Sequence, residues 1–156
     1  MNILLKKYSD TDYDFIKDLF FNCKCEEMKV VAPNNLFLNN IINAQFKAQN
    51  KFYANLGDSA DHYIIMADQT KVGRLIKTDD QVNLHIADIT ISPGHRKRGI
   101  AGNVLKSLIR SANENGKTIS LRVNKANPLV GYYSRLGFDV IADEGIRYLM
   151  AYKSPE

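Results

Sequence analysis

The stretch that decides the fold runs from Ile89 to Gly102 and reads ITISPGHRKRGIAG. A strand-like apolar segment is followed by Pro93 and Gly94 and then by a basic turn, and a helical period begins after Gly99. The first amide N–H groups of a helix have no intrahelical acceptor and lie at the positive end of its dipole. Small residues at such a turn let anionic oxygens approach those amides. The stretch therefore predicts a strand, an anion-binding turn and a helix.

Two nucleotide-binding motifs are excluded for this turn. Gly94 and Gly99 have the glycine spacing of a P-loop, but Ile100 and Ala101 follow where that motif needs Lys and then Ser or Thr. The Gly-x-Gly-x-x-Gly fingerprint of dinucleotide-binding folds does not occur in the chain. The simpler alternative is a solvated basic turn whose glycines serve only its geometry.

The basic charge of the chain is concentrated around this stretch. The whole chain carries a net charge of +4, and residues 89–113 contain five Lys or Arg but no Asp or Glu. A nucleic-acid binder usually spreads its basic residues over a face with aromatic residues between them. We therefore expect one compact anionic ligand and no nucleic acid.

Length and composition predict one globular domain over residues 1–156. Hydrophobic residues make up 45% of the chain, and no apolar run is long enough to cross a membrane. The first residues lack the pattern of a secretion signal, and Cys23 and Cys25 have no further ligands at metal-site spacing. We expect a cytoplasmic protein with free thiols, no metal and no membrane partner.

The order of the elements predicts a mixed α/β fold. Before the basic turn, the periodicity indicates a strand at 2–8, helices around 15–20 and 36–52, and strands at 62–67, 71–77 and 82–91. After the turn come a helix that stops at Gly116, a strand from Thr118, and a short helix capped by Asn127 and ended by Gly137. A final hairpin completes the chain.

Two segments resemble motifs of the GNAT N-acetyltransferase superfamily. Arg96-x-x-Gly99-x-Ala101 is similar to the superfamily's Arg/Gln-x-x-Gly-x-Gly/Ala signature, and it follows an apolar strand as it does there. Residues 127–138, NPLVGYYSRLGF, resemble the family's Asn-Pro-Ala-x-x-Leu-Tyr-x-x-Leu-Gly-Phe segment. This second segment departs from the pattern at Leu129, which replaces the usual alanine, and at residues 131–132.

The resemblance implies a GNAT-type α/β fold, in which helices flank a mostly antiparallel sheet of about six to seven strands. It also implies acetyl-CoA as co-substrate, in a cleft where the strand ending at Ile91 splays from the strand that begins near Thr118. The pantetheine arm is expected along the first strand, the pyrophosphate at amides 97–102, and the Ile89 N–H at the thioester carbonyl. The implied coenzyme-binding residues are Ile89, Thr90, Ile91, Arg96, Lys97, Arg98, Gly99, Ile100, Ala101, Gly102, Asn127 and Tyr133.

By the same resemblance, Tyr133 matches the family tyrosine that protonates the leaving coenzyme A thiolate. A phenol with a pKa of about 10 stays protonated at neutral pH and can donate to a thiolate. The structural alternative is a core aromatic on a helix face. Asn127 is assigned first to capping its helix and second to a contact with the coenzyme.

The general base is left open between His85, Asp88 and a water. Many members of the family have a glutamate six residues before the strand end, where this chain has His85. A neutral imidazole with a pKa of about 6.5 can accept a proton, although a strand histidine is often only a polar face residue. Strand alternation predicts that the side chain of Asp88 lies on the face opposite His85.

The implied acceptor is a primary amine on a small molecule or a protein. Polar residues of the first two helices that can meet it are Glu26, Glu27, Gln45, Gln49 and Tyr53. Neither a cysteine nor a serine with a nearby base is identified as a nucleophile, so we predict direct transfer in a ternary complex. The alternative function is a catalytically weak acyl-CoA-binding sensor or interaction module, and the resemblance allows a homodimer.

Overall fold

The computed structural model describes residues 1–28, 36–57 and 60–152. Its strands are β1 (Ile3–Lys7), β2 (Ala60–Ala67), β3 (Thr70–Asp79), β4 (Asn83–Ile91), β5 (Thr118–Asn124), β6 (Phe138–Asp143) and β7 (Arg147–Tyr152). Its α-helices are α1 (Tyr13–Glu27), α2 (Leu36–Ala54), α3 (Ile100–Glu114) and α4 (Leu129–Leu136). The strands form one sheet in the order β1-β2-β3-β4-β5-β7-β6. Only the β4–β5 pair among these is parallel, so the predicted mixed α/β fold is confirmed.

Helices cover both faces of the sheet. The apolar stripe of α3, with Val104, Leu105 and Leu108 buried, packs on one face, which we call the α3 face. On the opposite face, called the α1/α2 face, Ile16 and Phe46 pack against Ile64 of β2. Burial of these two apolar layers holds the sheet between the helices. None of the helices in the described part of the chain is long and apolar enough to span a membrane.

A β-bulge at residue 87 changes the faces of β4. Asp88 pairs with Ile76 of β3 while Ile86 pairs with Lys77, so the residue between them has no partner on β3. The extra residue reverses the side-chain alternation, and apolar residues on both sides of it join the α3-face core: Leu84, Ile86, Ile89 and Ile91. His85 and Asp88 consequently lie on the same α1/α2 face. The prediction that they lie on opposite faces is therefore wrong.

The central strands pair and then separate. Residues 83–86 of β4 pair with residues 118–121 of β5, and the described pairing between these two strands ends there. Beyond that point β4 stays with β3, and β5 stays with β7. A gap therefore opens between the carboxyl ends of β4 and β5, as the resemblance implies, and α3 starts at the same end. Ligands of open α/β sheets bind in such a crevice.

Candidate active site

The edge of β4 presents main-chain groups to this gap. The Ser92 N–H donates to a carbonyl oxygen of β3 at 2.7 Å. Because hydrogen-bond direction alternates along a strand, the main chain of Thr90 also faces β3, whereas that of Ile89 and Ile91 faces the gap. The Ile91 carbonyl oxygen accepts a bond from Arg96 Nε at 3.2 Å on that side. The Ile89 N–H thus points into the gap, where the oxyanion donor is predicted, and the main chain of Thr90 does not.

The basic turn has the backbone shape of an anion site. Lys97 and Gly99 both have left-handed backbone angles, with φ of 62° and 77°, and such turns direct successive N–H groups into one concavity. The Asn103 N–H donates to the Gly99 carbonyl at 3.0 Å as α3 begins. The amides of residues 100–102 come before that first bond and lack an intrahelical acceptor. The predicted turn is therefore formed, and Lys97 and Arg98 are exposed beside it.

Arg96 is turned away from these amides. Its guanidinium forms an ion pair with Glu26 of α1 and donates to the Cys23 sulfur at 3.5 Å. Together with the bond to Ile91, these contacts tie the turn to α1. The Arg98 guanidinium contacts His95 Nδ1 at 2.7 Å, and the side chain of Lys97 is exposed.

Gly102 has a packing role that sequence reasoning did not identify. A side chain at Gly102 would collide with the Tyr132 hydroxyl of α4, so the glycine allows α4 to approach α3. Gly99, by contrast, has no atom within 4 Å of the position a Cβ would take.

Tyr133 lies beside the gap on α4. Its side chain is buried, and its ring packs against Phe138 at 6.0 Å between centroids. Burial, and then the negative charge of Asp88 on β4, raise the pKa of Tyr133 to about 12. Its phenol is therefore protonated at physiological pH. Asn127 Oδ1 accepts a bond from the Leu129 N–H at 2.9 Å in the turn that leads into α4, and Pro128 is the N-cap residue of that helix.

His85 is held where β4 and β5 still pair. Its Nδ1 lies 2.8 Å from Ser120 Oγ, and its Nε2 lies 3.4 Å from Arg122 Nη1. Burial, and then the positive charge of Arg122, lower the pKa of His85, while Glu144 opposes that effect. The imidazole is therefore neutral at pH 7 and able to accept a proton.

Asp88 is engaged on both carboxylate oxygens. Oδ2 accepts from Arg74 Nε at 2.8 Å and Oδ1 accepts from the Thr90 hydroxyl at 2.9 Å. Arg74, only 3% exposed, also donates to Gln49 Oε1 at 2.5 Å and lies over the Tyr53 ring. Both carboxylate oxygens of Asp88 are therefore already occupied by hydrogen-bond donors of the chain. Sequence reasoning missed Arg74, although a charge inside an apolar strand indicates a buried partner.

Cavities open on the α1/α2 face near these groups. One of about 370 Å³ is walled by aromatic and polar residues that include Tyr8, Tyr13, Asn50, Tyr53 and His62. Another, of about 140 Å³, reaches Thr90 of β4 and is walled in part by Arg74 and Gln49. Of the predicted acceptor-site residues, Tyr53 lines the first of these cavities and Gln49 lines the second.

The other predicted acceptor-site residues lie elsewhere. Glu26 and Glu27 form ion pairs with Arg96 and Lys24, and Gln45 is exposed on α2.

Comparisons with known proteins give the family. Residues 25–149 match the model of the acetyltransferase (GNAT) domain. A search of curated protein sequences gives no significant match. Because the family model covers most of the chain, the chain belongs to the GNAT acetyltransferase family, and the implied family and fold are confirmed.

Solved structures with the same fold hold coenzyme A or its derivatives. PaiA N-acetyltransferase from Thermoplasma acidophilum, in complex with coenzyme A, has a TM-score of 0.73 at 16% identity, over 99% of this chain and 100% of that one. A GNAT family acetyltransferase from Elizabethkingia anophelis, with acetyl-CoA bound, has a TM-score of 0.62 at 16% identity, over 98% of this chain and 99% of that one. Arabidopsis thaliana Naa50 in complex with the bisubstrate analogue CoA-Ac-MVNAL has a TM-score of 0.62 at 16% identity, over 99% of this chain and 100% of that one.

Proposed function

We propose that the protein moves the acetyl group of acetyl-CoA to a primary amine by direct transfer in a ternary complex. The observation that carries the proposal is the gap between β4 and β5, with the Ile89 N–H directed into it and Tyr133 beside it. Membership of the GNAT family and the coenzyme-bound relatives support the same reaction. The amides of residues 97–102 hold the pyrophosphate in this proposal.

Three groups of the chain have separate roles in the reaction. The Ile89 N–H donates to the thioester carbonyl oxygen and stabilises the negative charge that develops there. His85 accepts the proton that the amine nitrogen loses as its bond to the acetyl carbon forms. Tyr133 protonates the sulfur as the carbon–sulfur bond breaks, so that coenzyme A leaves as a thiol. The phenol regains its proton from solvent.

The amine approaches from the α1/α2 face in this proposal. His85 lies on that face, and both cavities open there. The smaller cavity touches Thr90, which places it against the part of β4 that borders the gap. A small amine or the amino end of a peptide fits this approach.

The proposal is tested by release of free thiol from acetyl-CoA. The panel contains a monoamine, a polyamine, an amino-acid amide and short peptides, each at several acetyl-CoA concentrations. We expect at least one amine to release thiol. Double-reciprocal plots of the initial rate against amine concentration, one for each acetyl-CoA concentration, should then give intersecting lines. Parallel lines would indicate an acetyl-enzyme instead of a ternary complex. Acetyl-CoA binding without thiol release for any amine would favour the sensor alternative.

His85→Gln is expected to lower kcat about 100-fold and to remove the acid limb of its pH profile. A base must be deprotonated, so activity falls as pH drops through the pKa of His85. Because burial and Arg122 lower that pKa, the wild-type limb lies below about pH 6.5. The profile of kcat between pH 5 and 9 measures the position of this acid limb. As a control, the Asp88→Asn variant should retain the limb. An acid limb that persists in His85→Gln would assign the proton to Asp88 or a water.

A further inference from the structure

A row of hydrogen-bonded side chains connects Thr118 of β5 to His85 of β4. The Thr118 hydroxyl donates to Asn83 Oδ1 at 2.8 Å, and Asn83 Nδ2 donates to Ser120 Oγ at 3.0 Å. Ser120 Oγ in turn lies 2.8 Å from His85 Nδ1. The parallel register creates this row, because it places Asn83 beside Thr118 and His85 beside Ser120. All four residues lie in the paired part of β4 and β5, and the His85–Ser120 pair is the nearer of the two pairs to the gap.

The surroundings of the other ring nitrogen decide which nitrogen carries the proton. Arg122 Nη1 lies 3.4 Å from His85 Nε2, and a guanidinium can only donate hydrogen bonds. Its positive charge also disfavours a proton on Nε2, since an N–H dipole directed at a cation is repelled. In neutral His85 the proton therefore resides on Nδ1, and Ser120 Oγ is its acceptor.

Ser120 is well placed to accept that bond. Its side chain is buried on β5, and a hydroxyl oxygen has two lone pairs. One lone pair takes the bond from Asn83 and the other takes the bond from His85 Nδ1–H. An imidazole whose Nδ1–H is fixed in this way presents the lone pair of Nε2 on the side away from Ser120. Arg122 donates to this lone pair at 3.4 Å, and the acceptor amine takes the place of that long bond.

We propose that Ser120 is a positioning residue that fixes the Nδ1–H tautomer of His85, so that Nε2 is the atom that takes the proton of the acceptor amine. The proposal rests on the proposed acetyltransferase function. It adds to that function an orientation of the base, which the contacts of Asn83, Ser120 and Arg122 determine. The charged groups that face His85 are Arg122 of β5 and Glu144 of the β6–β7 turn, and Glu144 holds the guanidinium at 2.9 Å.

Nitrogen-15 NMR of the imidazoles tests the tautomer without any substrate. The chain has three histidines, so loss of one set of signals in His85→Gln assigns His85. In the wild type at pH 8 we expect Nδ1 protonated and Nε2 unprotonated. We expect Ser120→Ala to give a mixture of the two tautomers. A wild-type Nε2–H tautomer, or an unchanged His85 spectrum in Ser120→Ala, would overturn the proposal.

Kinetics test whether that orientation serves the reaction. We expect Ser120→Ala to lower kcat about tenfold, the effect of losing one net hydrogen bond, with the KM for the amine changed less than about twofold. Ser120→Thr keeps the hydroxyl and should recover most of the rate. Ser111→Ala, at an exposed position of α3, is the matched control. A mixed tautomer with an unchanged kcat would contradict the proposal, whereas the expected spectra with no thiol release from any amine would refute the proposed function.

Discussion

We expect Tyr133→Phe to lower kcat about 10²- to 10³-fold while the affinity for coenzyme A stays within about twofold. The substitution removes only the hydroxyl that protonates the departing sulfur. The ring packing against Phe138 is retained, so folding should be unaffected. Single-turnover rates with the best amine, and calorimetry with coenzyme A, measure the two quantities.

Tyr152→Phe is the control for this prediction. Tyr152 of β7 packs against the same Phe138 ring, at 5.8 Å between centroids, and its hydroxyl has no proposed role. We expect this variant to keep the wild-type rate. Because the pKa of Tyr133 is raised to about 12, ionisation of its phenol should not reduce activity below about pH 10. A wild-type chemical rate in Tyr133→Phe would remove Tyr133 from the mechanism.

The second large effect is expected at the start of α3. Gly99→Glu should weaken coenzyme A binding at least about 100-fold, because it places a negative charge a few ångströms from the predicted pyrophosphate position. A side chain has open space at this position, but the φ of 77° imposes backbone strain on any residue other than glycine. Calorimetry measures the affinity, and thermal unfolding reports the strain separately.

Gly99→Asn separates charge from strain. Asparagine tolerates left-handed angles better than other side chains and is uncharged, so we expect coenzyme A affinity to fall less than about tenfold. Equal losses of affinity in both variants would assign the effect to the backbone. Full affinity in Gly99→Glu would show that the pyrophosphate binds elsewhere.

Local patterns predicted the elements well because the causes of those elements are local. The apolar stripe of α3 and the basic turn before it were visible in the spacing of residues 89–112. Gly116 and Gly137, predicted to end α3 and α4, have φ of 68° and 112°. The bond from the Leu129 N–H to Asn127 Oδ1 also joins near neighbours in the chain.

The arrangement of the site depended on features that sequence patterns do not contain. The bulge at residue 87 moved Asp88 to the face of His85. The apolar alternation shifts phase there, from Leu84 and Ile86 to Ile89 and Ile91, but a strand that is buried on both faces produces the same pattern. Ser120 reaches His85 only through the parallel register of β4 and β5 across α3. The ion pair of Arg96 with Glu26 joins residues far apart in the chain. Each of these contacts is set by tertiary packing.

A crystal structure of the protein with bound acetyl-CoA would show directly whether the coenzyme occupies the gap and the turn before α3. We expect pyrophosphate oxygens within hydrogen-bond distance of the amides of residues 97–102. We also expect the thioester carbonyl at the Ile89 N–H and the sulfur near the Tyr133 hydroxyl. A pyrophosphate bound away from the start of α3, or a thioester outside the gap between β4 and β5, would contradict the proposed function.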